Sequence, residues 1–284
     1  MSYNTQKIIL ITGTSSGFGL LTSARLAARG HFVYATMRDV SKQQPLLDKV
    51  AKRGGQVMVR QLDVTRPVSI RKVVDEIKNH HHHIDVVINN AGYGIGGFFE
   101  DLTDEEIRQQ MEVNFFGVQN VCREVIPLMR ECKQGTIINM SSIAAQSASP
   151  CFGAYNASKW ALEGFSESLY HELSLFGINV VLMEPGTYPT KIFFDNARYA
   201  QHFNNPQSPY YAWSQKLKNM VQNYTNQLRR DPQDVAKLIE KIIDMKKPRL
   251  RYLSEWPSWL HVYSRKILPQ RVYNYFYRKI LFSK

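Results

Sequence analysis

The sequence predicts an α/β fold, a doubly wound parallel sheet of about seven strands with helices on both faces. Three observations lead there. Short apolar, β-branched runs alternate with longer stretches of helical period from Ile8 to Met183, the pattern of βαβ units with right-handed crossovers. The first run ends in a glycine-rich turn that opens directly into a helix. The residues with chemistry to offer follow the strands, at the carboxyl edge where open α/β sheets bind ligands.

Ile8 to Ile11 reads as a buried strand. It runs into Thr12, Gly13, Thr14, Ser15, Ser16, Gly17, Phe18 and Gly19, and a helical pattern continues through Leu20, Leu21, Ala24, Leu26 and Ala27. Bare backbone lets a pyrophosphate approach, and the unpaired N–H groups of a helix start point at it. The second strand, Phe32 to Thr36, ends at Met37, Arg38 and Asp39. An arginine in this place accommodates a 2′-phosphate, so Arg38 argues for NADP(H) over NAD(H), while Asp39 suits a cap. Val57 to Val64 forms the third strand, whose end brings Asp63 and Val64 toward an adenine, and a helix follows from Pro67 to Asn79. His80, His81, His82 and His83 read as a solvated helix end, because four consecutive imidazoles cannot all face one ion.

The fourth strand, Ile84 to Ile88, leads into Asn89, Asn90, Ala91 and Gly92, small and amide-bearing residues suited to closing over a cofactor. One long helix is expected from about Asp104 to Arg130, with Asn114 in its interior, where an amide is unfavourable unless it serves something. The strand Gly135 to Met140 delivers Ser142, and the next helix carries Tyr155 and Lys159. The strand Ile178 to Met183 ends at Glu184, Pro185, Gly186 and Thr187. A helix from Val235 to Met245 and a last strand, Arg249 to Leu253, complete one domain over 1–253.

Tyr155 and Lys159 stand four residues apart and hence on one helical face. A free tyrosine titrates near pH ~10, and an ammonium beside the phenol favours phenolate, making it a usable acid or base. Ser142 then holds the substrate oxygen at the same point. An isolated pair of this kind is ordinarily a surface pair, but here it sits among the other strand-end residues.

In these residues the chain resembles the short-chain dehydrogenases/reductases over about residues 7 to 190, and more loosely to about 252. The glycine motif is matched by Thr12, Gly13, Gly17 and Gly19, the adenine-side aspartate by Asp63, and the amide turn by Asn89, Asn90, Ala91 and Gly92. Asn114, Ser142, Tyr155 and Lys159 match the catalytic positions, and Pro185, Gly186 and Thr190 the last motif. The resemblance implies a Rossmann fold in which Tyr155 moves the proton and Lys159 lowers its pKa and binds the nicotinamide ribose. Ser142 orients the substrate and Asn114 supports a water relay. The stretch Val33 to Asp39 is similar to hydroxysteroid and retinol dehydrogenases, and to bacterial oxidoreductases of undefined substrate. A homodimer or homotetramer is implied as well, paired through the helices of Asn114 and Tyr155, with Phe115, Val118, Val121, Phe165, Leu169 and Leu173 offered as outward residues, some of which must face the core.

The chain has 284 residues and three cysteines, Cys122, Cys132 and Cys151, without metal spacing or a disulfide framework. This fits a reducing, cytoplasmic setting, as does a start without an export signal pattern. A lid over about 187–228 is rich in aromatics, among them Tyr188, Phe193, Phe194, Tyr199, Phe203, Tyr210, Tyr211 and Trp213, which either wall an apolar substrate or pack the lid onto the body. Much of the net charge of +12 resides in the tail, since from Lys246 onward ten Lys or Arg accompany one acid, Glu255. The extension 254–284, with Trp256 and Trp259 among its aromatics, has no apolar run long enough to span a bilayer. It suits peripheral contact with anionic lipid, or else it packs on the body, closes the substrate pocket or pairs with another subunit; no nucleic-acid module accompanies the charge. The expected activity is NADP(H)-dependent interconversion of a lipophilic secondary alcohol and a ketone, or an aldehyde. A reductase of acyl-thioester ketones and a non-catalytic redox sensor are the alternatives.

Overall fold

Strands buried on both faces give the sheet its apolar, non-alternating sequence. The computed structural model describes residues 6–189 and 197–282. Strand β1 (Ile8–Thr12) is followed by α1 (Gly17–Ala28), β2 (Phe32–Met37), α2 (Gln44–Ala51), β3 (Met58–Gln61), α3 (Pro67–His81) and β4 (Val86–Asn89). A short β5 (Ile95–Gly96) precedes α4 (Asp104–Met111) and α5 (Gly117–Glu131), and then come β6 (Gly135–Met140), α6 (Gly153–Ser174) and β7 (Ile178–Glu184). The remaining elements are β8 (Arg198–Tyr199), α7 (Tyr211–Gln227), α8 (Gln233–Ile242), β9 (Arg251–Leu253), α9 (Trp256–Ile267) and α10 (Gln270–Phe282).

The main sheet has seven strands in the order β3-β2-β1-β4-β6-β7-β9, and each pairing is parallel. After β3 the chain returns across the sheet to β4, so a crevice opens above the ends of β1 and β4. Alternating residues of β1 serve opposite cores. Ile8 and Leu10 pack with Ile70, Val121 and Leu162 of α3, α5 and α6, while Ile9 and Ile11 pack with Leu26, Val235 and Ile239 of α1 and α8.

Three sequence expectations are corrected. The helix expected from Asp104 to Arg130 is not regular, because residues Glu112–Phe116 form a π-helical turn between α4 and α5. A wide turn of this sort lets a polar side chain leave the helical ladder, and Asn114 occupies it. Second, Val118, Val121, Leu169 and Leu173 lie in the core rather than outward. Phe115 and Phe165 are half-buried, with ring centroids 6.0 Å apart, and Phe116 is exposed. Third, β3 spans only Met58–Gln61, and Asp63 lies in the turn beyond it. At the histidine run, α3 ends at His81, and His82 adopts the left-handed conformation of a helix stop (φ 62°).

The tail helices pack on the body. Tyr273 and Tyr277 hydrogen-bond Ser147 and Ser149 at 2.7 and 3.2 Å, and Phe282 meets the Trp213 ring edge-on. The side chains of Trp256 and Trp259 lie outside the described ones. No helix among the described residues is long and apolar enough to cross a membrane.

Candidate active site

The glycine turn after β1 is shaped by close approach. Gly13 has φ +70°, and a Cβ there would stand 2.7 Å from the Ala91 Cα; a Cβ on Gly19 would stand 2.4 Å from Asn90 Nδ2. Gly17 also has positive φ, but its missing Cβ faces open space at the start of α1. The turn is fastened to the end of β4: Asn90 Nδ2 donates to the carbonyls of Thr12 and Gly13 at 2.9 and 2.8 Å, and Thr12 Oγ1 accepts from the Asn90 and Ala91 amides. Ser15, Ser16 and Phe18 complete the loop, and the first turn of α1 contains no acidic residue. A helix start without acids, reached by side-chain-free backbone, fits a dinucleotide pyrophosphate.

The adenosine side is mixed. Arg38 is exposed at the end of β2, while Asp39 accepts from the Ser41 amide and hydroxyl and so serves as the expected cap. Asp63 Oδ1 accepts from the Thr65 amide and hydroxyl at 3.0 and 2.8 Å, which holds its turn, and Val64 is in the core. Pro185 and Gly186 line the cavity described below. Thr190 lies outside the described residues, as do Phe193 and Phe194.

Ser142, Tyr155 and Lys159 converge at the end of β6. The Ser142 hydroxyl accepts from the Ala144 amide at 3.1 Å, and Ser142 and Tyr155 line the same cavity. Lys159 Nζ donates to the Met140 carbonyl at 2.7 Å and stands 5.8 Å from the centroid of the Tyr155 ring. Burial pushes the Tyr155 phenol up, with the Ser142 hydroxyl opposing it. The sequence led us to expect a lowering by Lys159; in this geometry desolvation dominates and the ammonium is engaged elsewhere. Burial also brings Lys159 down to about 8, against the opposing charge of Glu163. Asn114 Nδ2 donates to the Tyr93 carbonyl and to Ser158 Oγ, and its Oδ1 accepts from the Tyr93 amide. Asn114 therefore fixes the Gly92–Gly94 segment that runs over Tyr155.

Behind this group lies a cluster that sequence reading missed. Glu163, one turn after Lys159, accepts from Ser141 Oγ at 2.6 Å and from Arg251 Nε at 2.9 Å. Arg251 is also 3.5 Å from Glu184. Burial, and secondarily the Glu163 charge, raise Glu184 to about 7. The helical spacing of Lys159 and Glu163 was readable, but their burial was not.

A cavity of about 330 Å³ opens over Ser142 and Tyr155, and its walls include Tyr93, Phe152, Tyr199, Phe203, Leu217 and Met220. The lid aromatics divide between the two roles expected of them. Tyr199 and Phe203 wall the cavity, whereas Tyr210 stacks on Phe98 and Trp213 packs on the tail. Leu281 of α10 also reaches the cavity, in line with the expected alternative that the tail helps to close the substrate pocket.

A family model for short chain dehydrogenase matches residues 7–198. The chain is 40% identical over 245 residues to the 3-ketodihydrosphingosine reductase of Bacteroides thetaiotaomicron, covering 86% of each protein. A Burkholderia phymatum short chain dehydrogenase/reductase in complex with NAD is 26% identical, with a TM-score of 0.81 over 94% of this chain and 95% of that one. A metagenomic short-chain oxidoreductase in complex with NADP is 25% identical, with a TM-score of 0.69 over 89% and 98%. With this fold and these relatives, the chain belongs to the short-chain dehydrogenase/reductase family, the NAD(P)-dependent oxidoreductases of alcohols and ketones.

Proposed function

We propose that this is a cytoplasmic NADP(H)-dependent reductase or dehydrogenase of a lipophilic secondary alcohol and ketone, or an aldehyde, with Tyr155 as the acid and base. The observation that carries it is the Tyr155 side chain, half-buried and lining, together with Ser142, an apolar cavity that Asn90 and Gly92 beside the glycine turn also line. The bound dinucleotide supplies or accepts the hydride. Gly13, Ser15, Ser16, Gly17, Phe18, Gly19, Asn90, Ala91 and Gly92 would hold it, with Asp63 and Val64 toward the adenine, Arg38 toward a 2′-phosphate, and Pro185, Gly186 and the motif residue Thr190 toward the nicotinamide. Ser142 orients the substrate oxygen, Tyr155 gives or takes its proton, and Asn114 positions the backbone over the phenol. Lys159, anchored on the Met140 carbonyl, offers its remaining N–H groups to a ribose and to the proton path.

The lipophilic substrate is supported by the apolar cavity walls and by the Bacteroides relative, a 3-ketodihydrosphingosine reductase. Residues 1–253 form the catalytic domain with its lid over 187–228, and 254–284 an extension that attaches peripherally to membranes. The assembly is at least a dimer.

Tyr155→Phe tests the reading. Turnover of a lipophilic ketone with NADPH is expected to fall by ~10²–10⁴-fold, as for loss of a general acid, with little change in NADPH affinity by fluorescence titration. Retention of more than about a tenth of turnover would remove Tyr155 from the proton role.

A further inference from the structure

The two tail helices are built with opposed faces. On α10 the inward row Tyr273, Tyr277 and Leu281 meets Ser147, Ser149 and the cavity. The neighbouring row Val272, Phe276 and Ile280, at the same four-residue interval, is exposed, with Phe276 at 55% and Ile280 at 68%. On α9 Val262 is buried, whereas Leu260, Tyr263 and Ile267, at helical spacing on the opposite side, are exposed, Leu260 at 68% and Ile267 at 76%. Soluble monomers seldom leave this many large apolar side chains in water on adjoining elements. The exposed Lys266, Arg271, Arg278 and Lys279 accompany them, whereas Arg265 turns inward to the Gln146 carbonyl and the Trp160 ring, and residues 256–282 include no Asp or Glu.

We propose that the outward faces of α9 and α10 dock on an anionic lipid bilayer, and that the same helices deliver a bilayer-dissolved substrate to the cavity they help to wall. Charge decides the occupant. An acid-free, basic and aromatic surface is complementary to anionic headgroups with acyl chains beneath, whereas in a two-fold contact between copies this surface would face its own positive charge. The substrate route rests on the reading of the cavity as an oxidoreductase site for lipophilic carbonyls; the docking does not.

The test uses the full chain, with vesicles of phosphatidylcholine alone or mixed with phosphatidylglycerol. Flotation is expected with the anionic vesicles at low salt, and release as salt shortens the screening length. The exposed triple variant Val272→Ser, Phe276→Ser, Ile280→Ser should lose about tenfold or more in partitioning, and Arg271→Gln with Arg278→Gln should lose a similar factor, chiefly at low salt. NADPH oxidation by the triple variant should match wild type on a water-soluble ketone and fall on a long-chain ketone dissolved in the bilayer. Failure of the wild-type protein to float, or equal flotation of the triple variant, overturns the docking surface. Equal turnover of the bilayer-dissolved ketone overturns the delivery route. A triple variant that sediments as a smaller species assigns the face to a second copy instead. Loss of turnover on every ketone by the wild type would fail the enzymatic reading alone, since flotation reports docking independently.

Discussion

Arg38 is exposed at the end of β2, and Asp39 is already occupied with Ser41. The neighbouring acid is therefore acting as a local cap, and under the proposed NADP(H) preference Arg38 is the group that would read a 2′-phosphate. A charge-assisted contact of this kind contributes about 1.5–3 kcal/mol. Arg38→Ala should accordingly raise the KM for NADPH by roughly 10–150-fold and leave that for NADH nearly unchanged. Steady-state kinetics with both cofactors checks it, and equal wild-type efficiency with the two would count against an NADP(H) preference.

Among elements, α6, β7 and β9 are tied together by one guanidinium. Arg251 of β9 reaches Glu163 and Glu167 on α6 and lies beside Glu184 at the end of β7. Glu184 is only 2% exposed, and burial raises it from 4.5 to about 7. Between those values the folded protein keeps a proton that the unfolded chain has released. This contribution to stability is fully present below about pH 4.5 and is lost as pH rises through about 7. The shift corresponds to at most about 3 kcal/mol. Glu184→Gln, which keeps the shape without the titration, should remove that pH dependence. Urea unfolding at pH 5 and pH 8 should show wild type losing about 2–3 kcal/mol relative to the variant across the window, and parallel curves would contradict the assignment.

For the whole molecule, the faces expected to pair subunits are smaller than the sequence suggested. With Val118, Val121, Leu169 and Leu173 in the core, what remains is an aromatic group of Phe115, Phe116 and Phe165, of which Phe116 is 43% exposed. A two-fold contact there would bring each ring group against its copy. Sedimentation velocity is expected to show at least a dimer, and Phe116→Glu to shift it toward monomer. A wild-type protein that stays monomeric at every concentration would reject the pairing.

By itself the sequence determined the alternation of strands and helices that builds the main sheet, the glycine turn, and the placing of Asn90, Ser142, Tyr155 and Lys159 at one sheet edge. These follow from local periodicity and from a topology that leaves little choice about which ends face the crevice. Only the tertiary structure decided the rest. The π turn at Asn114 exists because its amide is held by Tyr93 and Ser158, partners 21 and 44 residues away. Glu163 and Glu184 became a coupled buried pair through Arg251, which lies 67 residues beyond Glu184 in the chain. The basic tail walls the cavity through Leu281 because Tyr273 and Tyr277 find hydroxyl partners more than 120 residues away. Periodicity reports which face of an element is apolar. Burial, and with it the direction in which Tyr155, Lys159 and Glu184 titrate, is set by what other parts of the chain bring to that face.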